Sequence, residues 1–379
     1  MALGDGRGLA RIFITRNEDR ISFRYRGVLE YFIALRMTVD TDFKTWVLDE
    51  GRYLRYVNEI QYYAGKHRSD ADLVNLVRKR HEAIFADAMS DIGELDLHQL
   101  ETIQLPTEGR GSDAVNHTAT EVASPPLTKE ERDTELEAEI PTDAEDRQEV
   151  FRPAIEESND RVMFSLILYS GLVKNMELIS DADKRAHLAV LWASWGDVLV
   201  SSLRFAPRLA HERRIKINGA VYELKAPQGM SDATLLRQMM LQLPHVHVRI
   251  ISNVLGTEKL ERQLTEPTLD EKGQPAIFEF FRVGLMADLR LAGTPGAFEA
   301  LATRLRGNMY LLWSLVIHFS ELRRLDRIRE EHFIALEEPL AGAIANLKGG
   351  SAKIRADEKR KQLKRLAKDR LMLTMKRDK

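Results

Sequence analysis

Apolar and polar positions recur with two periods along the chain, and the helical period dominates. At the start, Arg11 to Thr15 and Arg20 to Tyr25 are short alternating runs rich in β-branched and aromatic residues, separated by the four polar residues 16–19. That pattern predicts a β-hairpin with a four-residue loop. The period then changes, and Val28, Leu29, Phe32, Ile33 and Leu35 line one face of a predicted helix. A two-stranded hairpin is marginal in water, so it is expected to pack on that helix or on something upstream. On this reading the chain opens on the tail end of a unit.

Helical spacing continues over residues 46–97, as three stripes: Leu54, Val57 and Ile60; Leu73, Leu76 and Val77; Ile84, Phe85 and Met89. Tyr53, Tyr56, Tyr62 and Tyr63 add aromatic bulk, and a stack of short helices is expected. Between Pro106 and Glu149 large apolar residues almost vanish, Pro125-Pro126 interrupts any helix, and residues 130–139 are densely acidic. Such a stretch buries too little apolar surface to offset its ordering entropy, which predicts a disordered acidic linker.

Beyond it the helical period returns at residues 162–179, then at 184–205, where Trp192 and Trp195 sit beside Leu191, Val198 and Leu199 and the helix is expected to end before Pro207. Arg214 to Ile217, Asn218-Gly219 and Val221 to Leu224 carry a short-hairpin signal, because Asn-Gly supplies the positive φ angles of a tight turn. Further helices are expected over 233–255, 277–291, 297–324 and 327–347.

The predicted fold class is therefore mainly α, with an N-terminal β-hairpin and a second possible short hairpin in the later helical domain. The expected domains are residues 1–104, a linker over 105–150, a second helical domain over 151–347 and a basic helix or tail over 348–379.

Composition narrows the function classes. The 379 residues are 44% hydrophobic and 30% charged with a formal charge of −2, so there is core enough for two domains and no global basic excess of the kind nucleic-acid binders carry. Cysteine is absent, which removes disulfides, thiolate zinc sites and cysteine nucleophiles and fits a reducing, cytoplasmic setting. The longest apolar run, Met309 to Ile317, is shorter than the roughly 20 residues of a bilayer span, so no membrane partner is expected.

Catalytic patterns are missing. No GxxxxGK[ST] loop and no helix-opening GxGxxG occurs; Gly4-Asp-Gly-Arg-Gly8 precedes a strand and has no lysine. His245 and His247 lack the further ligands of a metal site and are read as structural or solvated. Ser170-Gly171 and His187 form no nucleophile elbow, and Glu130-Glu131 lies in the expected linker. No enzyme activity and no metal site is expected. The tail, with Lys359, Arg360, Lys361, Lys364, Arg365, Lys368 and Arg370, is expected as a solvated helix balanced by Asp357, Glu358 and Asp369. Salt-sensitive nucleic-acid contact through residues 359–370 is the alternative.

Ile21-Ser-Phe-Arg-Tyr-Arg-Gly-Val-Leu-Glu-Tyr-Phe-Ile-Ala34 resembles the motif closing the ATPase core of bacterial STAND (NACHT-like) signalling NTPases, in which a wing hairpin leads into a helix reading approximately F-[KR]-[HY]-x-x-x-x-x-Y-F-x-A. Phe23, Arg24, Tyr25, Tyr31, Phe32 and Ala34 match it, with Glu30 inside the same segment. Residues 162–205, including Leu172-Val-Lys-Asn175, are similar to the helical sensor region of such proteins, and Leu255-Gly-Thr-Glu-Lys-Leu260 has a related character.

The resemblance implies a winged-helix remnant in residues 1–104 and a sensor-like domain in 151–347. It implies that Phe23, Tyr31 and Phe32 pack and transmit position, and that Tyr25 lies near nucleotide if the chain docks on an ATPase core. Family members with histidine at that position bring a cation to the phosphates, whereas tyrosine offers one neutral hydrogen bond. The family's P-loop, Walker B acid and effector domain are absent, so ATP or ADP would reach this chain only through a P-loop-bearing partner or region. The implied function is the non-catalytic regulatory and sensor portion of a STAND-type ATPase in bacterial, anti-phage-like defence. A stand-alone helical adaptor and a nucleic-acid-associated regulator are the competing readings.

Overall fold

The computed structural model describes residues 14–17, 20–23, 26–92, 96–103, 105, 127–139, 158–217, 220–224, 229–266, 273–325, 327–328, 330–349 and 351–377. Within them the chain is mainly helical, as the dominant period predicts. Two antiparallel strand pairs accompany the helices. β1 (Ile14–Asn17) pairs with β2 (Arg20–Phe23), with Asn17 opposite Arg20, so two residues rather than the expected four lie between the strands. β3 (Arg214–Ile217) pairs with β4 (Ala220–Glu223), with Ile217 opposite Ala220; the Asn218-Gly219 expected to make the turn lies outside the described residues.

The helices group into two compact units that differ from the sequence expectation of 1–104 and 151–347. One gathers residues 1–91 and 141–191; the other gathers 92–140 and 192–379. The first contains α1 (Arg26–Val39), α2 (Thr41–Val47), a 3-10 turn at Tyr53–Tyr56, α3 (Val57–Lys66), α4 (Ala71–Ile92) up to Asp91, and α6 (Ser158–Asn175). Helix α6 belongs there because it packs on α3: Gly171 lets the Gln61 side chain approach so closely that a Cβ would sit 2.3 Å from Gln61 Cδ. Gln61 Nε2 reaches the Ile167 carbonyl at 3.4 Å, and Asn175 Nδ2 reaches the Gln61 carbonyl at 3.3 Å. Val57, Ile60 and Tyr63 of α3 and Leu166, Tyr169, Leu172 and Val173 of α6 are buried in this core.

Helix α7 (Asp181–Glu212) opens on a capping pair, Asp183 N donating to Ser180 Oγ at 3.1 Å, and the boundary between the units falls inside it. It continues through Pro207 instead of ending before it. Proline costs the helix one backbone bond, but Ala206 and Ala210 are buried on the last turns, and their packing holds the helical course. By length and composition α7 could also cross a bilayer, yet only half of its most apolar window is left unburied by protein.

The second unit is built around α12 (Met309–Arg324), buried on almost every side from Tyr310 to Ser320, as a helix at the centre of a core must be. Around it pack α8 (Asp232–Leu255), α10 (Ala276–Asp288) and α13 (Glu330–Lys348), with α11 (Thr294–Arg304) against α10 and α13. The single helix expected over 297–324 is two. A 3-10 turn, Leu305–Gly307, separates α11 from α12, and the Asn308 side chain caps the new N-terminus by accepting from Leu311 N at 3.0 Å. The short helix α9 (Glu261–Thr265) precedes α10.

The expected linker contains one described helix. Lys129–Glu139 forms helix α5, started by a capping box in which Glu131 N donates to Thr128 Oγ1 at 3.2 Å and Thr128 N donates to Glu131 Oε2 at 2.8 Å. The rest of residues 105–150, except 105 and 127–128, lies outside the described residues. The last helix, α14 (Ala352–Arg377), packs on α13.

Candidate functional site

Helix α1 carries the described part of the sequence motif, and its orientation follows from one buried acid. Glu30 is 4% exposed, and its Oε1 accepts from Arg26 Nε and Asn58 Nδ2, both at 3.0 Å. A buried carboxylate is tolerated only with such partners. With Glu30, Ala34 and Met37 on the inner face, positions 31 and 32 turn about 100° and 200° away from residue 30. Tyr31 is 44% and Phe32 50% exposed. The motif's inward residues are Glu30 and Ala34, and its described aromatics are displayed. Of the stripe expected on one face, Val28, Leu29, Ile33 and Leu35 are half-buried and Phe32 is exposed.

Tyr31 meets Tyr62 edge-on at 6.4 Å and Phe32 at 6.2 Å, while Lys66 Nζ lies 5.5 Å from the Tyr31 ring centre. Tyr62 is itself 45% exposed. Helices α1 and α3 thus present three aromatic rings and a cation on one surface, a combination of large rigid area and polar edges typical of protein-binding anchors. The Phe23 side chain, Arg24 and Tyr25 lie outside the described residues, and so does the nucleotide-proximal role expected of Tyr25.

A second aromatic group escaped the sequence reading. Phe43 stacks on Trp46 at 5.7 Å, with the Arg36 guanidinium 4.1 Å over Phe43 and that of Arg52 4.6 Å over Trp46. Two aromatics three residues apart in a helix are the available signal; the flanking arginines come from outside α2.

The buried histidines do different work. In the first unit, Ser165 Oγ donates to the Val162 carbonyl at 2.9 Å, so its contact with His81 Nδ1 at 3.1 Å must take the ring's proton. His81 is a donor here and cannot serve as a base for Ser165. Burial pushes its pKa down to about 3. Tyr169 Oη lies 2.7 Å from His187 Nδ1, and burial pushes the phenol up and the imidazole down, leaving both neutral at neutral pH.

In the second unit His245 and His318 meet at 2.8 Å through their Nδ1 atoms, so one donates and the other accepts. Burial lowers them to about 3 and about 4. His247 Nδ1 donates to the Leu243 carbonyl at 2.8 Å. Asp288 is pushed up by burial while its Oδ2 accepts from Ser252 Oγ at 2.5 Å. Among the described residues no group of three or more metal-ligating side chains is placed to hold an ion.

Four of the described helix N-termini are already occupied by side-chain caps. The N-termini of α2, α7, α8 and α12 are capped by Asp40, Ser180, Ser231 and Asn308, three of them with a carboxylate in the cap or the first turn. These termini do not fit a nucleotide phosphate. A small cleft between Trp192, Phe278, Arg282 and Arg304 is already neutralised, with Glu279 at 3.2 Å from Arg304 and 3.8 Å from Arg282. The α1–α3 aromatic surface is thus the candidate functional site. Comparison with protein-family models, with curated proteins and with solved structures finds no match to this chain.

Proposed function

We propose that this chain is the non-catalytic regulatory and sensor portion of a STAND-type signalling ATPase, acting in a bacterial defence response. The β1–β2 pair and α1 are its winged-helix remnant, and the aromatic surface of α1 and α3 docks on a P-loop core carried by a partner chain or another region. The later helices sense a ligand of the foreign-protein kind. Ligand binding then shifts an equilibrium between a closed and an oligomerising state, which requires different affinity for the two.

The observation that carries this reading is the outward display of Tyr31 and Phe32, because aromatics spent on an internal core would leave α1 nothing to dock with. ATP or ADP enters only through the partner; the capped helix termini described above offer no cradle for it. A stand-alone adaptor is the second reading, favoured by the Arg36–Phe43–Trp46–Arg52 stack, which suits partner binding with no link to nucleotide.

The test begins with the neighbouring DNA, read for GxxxxGK[ST] followed by an acid-terminated apolar strand. The ATPase so encoded is co-expressed with this chain and complex formation measured with ATP, with ADP and without nucleotide. A nucleotide-dependent complex weakened tenfold or more by Tyr31→Ala with Phe32→Ala supports the proposal. A complex indifferent to nucleotide moves the assignment to the adaptor, and no complex at all defeats the ATPase reading.

A further inference from the structure

We infer that helix α14 is a binding surface for the phosphate backbone of a nucleic-acid duplex. Its sequence holds eleven lysines and arginines against three acids. On composition alone those acids temper the excess, but the packing separates them.

Glu358 is turned inward, its side chain 15% exposed, where it is engaged by Lys348 of α13 and by Gln362 Nε2 at 2.9 Å. Gln362 and Leu366 are buried one and two turns further along, and Lys359 reaches Glu338 of α13 at 2.7 Å. The helix is therefore fixed by the face through 358, 362 and 366. Its opposite face carries Lys353, Arg360 and Lys364, which fall within about 40° of one another around the axis and span about 16 Å along it. Lys361 flanks that row, its Nζ 3.9 Å from Glu358, and Asp357 is the one acid on the row, 3.5 Å from Arg360. Lys361 and Arg360 are 76% and 73% exposed.

Four arguments select the occupant. A duplex offers one charge per ~1.7 Å of axis, so a rigid cationic row of this length faces about ten phosphates. A flexible acidic peptide would pay conformational entropy to match the same row. Residues 351–379 contain no aromatic side chain, which removes the stacking platform that single strands use. Among the described side chains of α14 the large exposed apolar residue is Ile354, far short of the apolar face with which an amphipathic helix enters a membrane surface.

Binding of the full chain to a 20-base-pair mixed-sequence DNA duplex, measured by fluorescence anisotropy between 50 and 200 mM salt, tests the inference. Affinity is expected to fall steeply with salt. Lys353→Ala, Arg360→Ala and Lys364→Ala combined should weaken binding at least tenfold and flatten the log–log salt slope by about 2.7, near 0.9 for each lost phosphate contact. The three positions are exposed, so helical content and melting temperature should stay unchanged; a Gln362→Ala variant, altered on the inward face, should keep the full slope. No binding at 50 mM salt overturns the inference, as does a slope indifferent to the triple substitution. Tighter binding to phosphatidylserine vesicles or to polyglutamate than to the duplex overturns it equally.

Discussion

His81 is a donor to Ser165 because that hydroxyl's single proton is already committed to the Val162 carbonyl, and burial then keeps the ring neutral. Its pKa is about 3 in the folded chain against about 6.5 unfolded, so the unfolded state takes up the proton first as pH falls. The stabilisation is full above pH 6.5 and is lost progressively below it, down to the folded value. Between pH 7 and pH 5 this one residue should cost the first unit about 2 kcal/mol, and urea denaturation at the two pH values should show it. His81→Gln, which does not titrate, should reduce the pH-dependent loss by that amount.

Packing gives a second test at this scale. A Cβ on Gly284 would lie 2.7 and 2.8 Å from the two methyls of Val248, a stiff β-branched side chain with little freedom to yield. Gly284→Ala should destabilise the second unit by about 1–3 kcal/mol, and most of that loss should disappear when Val248→Ala is added. None of these particulars was legible in the sequence. Spacing placed Tyr31 and Phe32 on a helix, but which face turned inward depended on Asn58, 28 residues away, accepting the role of partner to Glu30.

Elements were read more successfully where their ends carry local chemistry. The helices over 232–255 and 276–288 start within a residue of the sequence expectation, and Ser231 marks the first of them with an N-cap. A local signal misleads where packing overrules it or the surrounding composition masks it. Pro207 predicts a stop, yet two buried alanines hold the helix beyond it. Thr128-Lys-Glu-Glu131 is a capping-box signature that the acidic composition of its surroundings obscured.

Asn308 was equally readable and divides one expected helix into two. It is 7% exposed, its Oδ1 accepts from Leu311 N at 3.0 Å, and its Nδ2 donates to the Leu100 carbonyl at 3.3 Å. Asn308→Ala should therefore cost about 1–2 kcal/mol, more than an exposed cap would, and Asn308→Asp should recover the cap but not the bond to Leu100. Thermal melts of the three proteins check it: an Ala variant as stable as the unaltered chain would mean that neither the cap nor the bond to Leu100 contributes.

At the scale of the whole chain, the mainly helical class follows from periodicity, but the grouping of helices does not, because contacts between distant segments leave no local trace. Residues 61 and 167 are 106 positions apart, and neither the Gln61 amide nor the glycine at 171 announces the other. The consequence is a fragment test. Residues 1–104 are expected to form a unit, yet the first core also uses Leu166, Leu168, Tyr169, Leu172 and Val173 of α6 and Met176 just beyond its end, all 0% exposed. Fully burying side chains of this size contributes about 1.5–3 kcal/mol apiece, so their removal exceeds the 5–15 kcal/mol net stability of a typical domain or comes close to it. A fragment of residues 1–104 should retain helical circular dichroism and lack a cooperative thermal transition. A fragment of residues 1–212, which restores α6 and the whole of α7, should regain one. Cooperative unfolding of the shorter fragment would mean that α1 to α4 form a core without α6, and the boundary at 104 would stand after all.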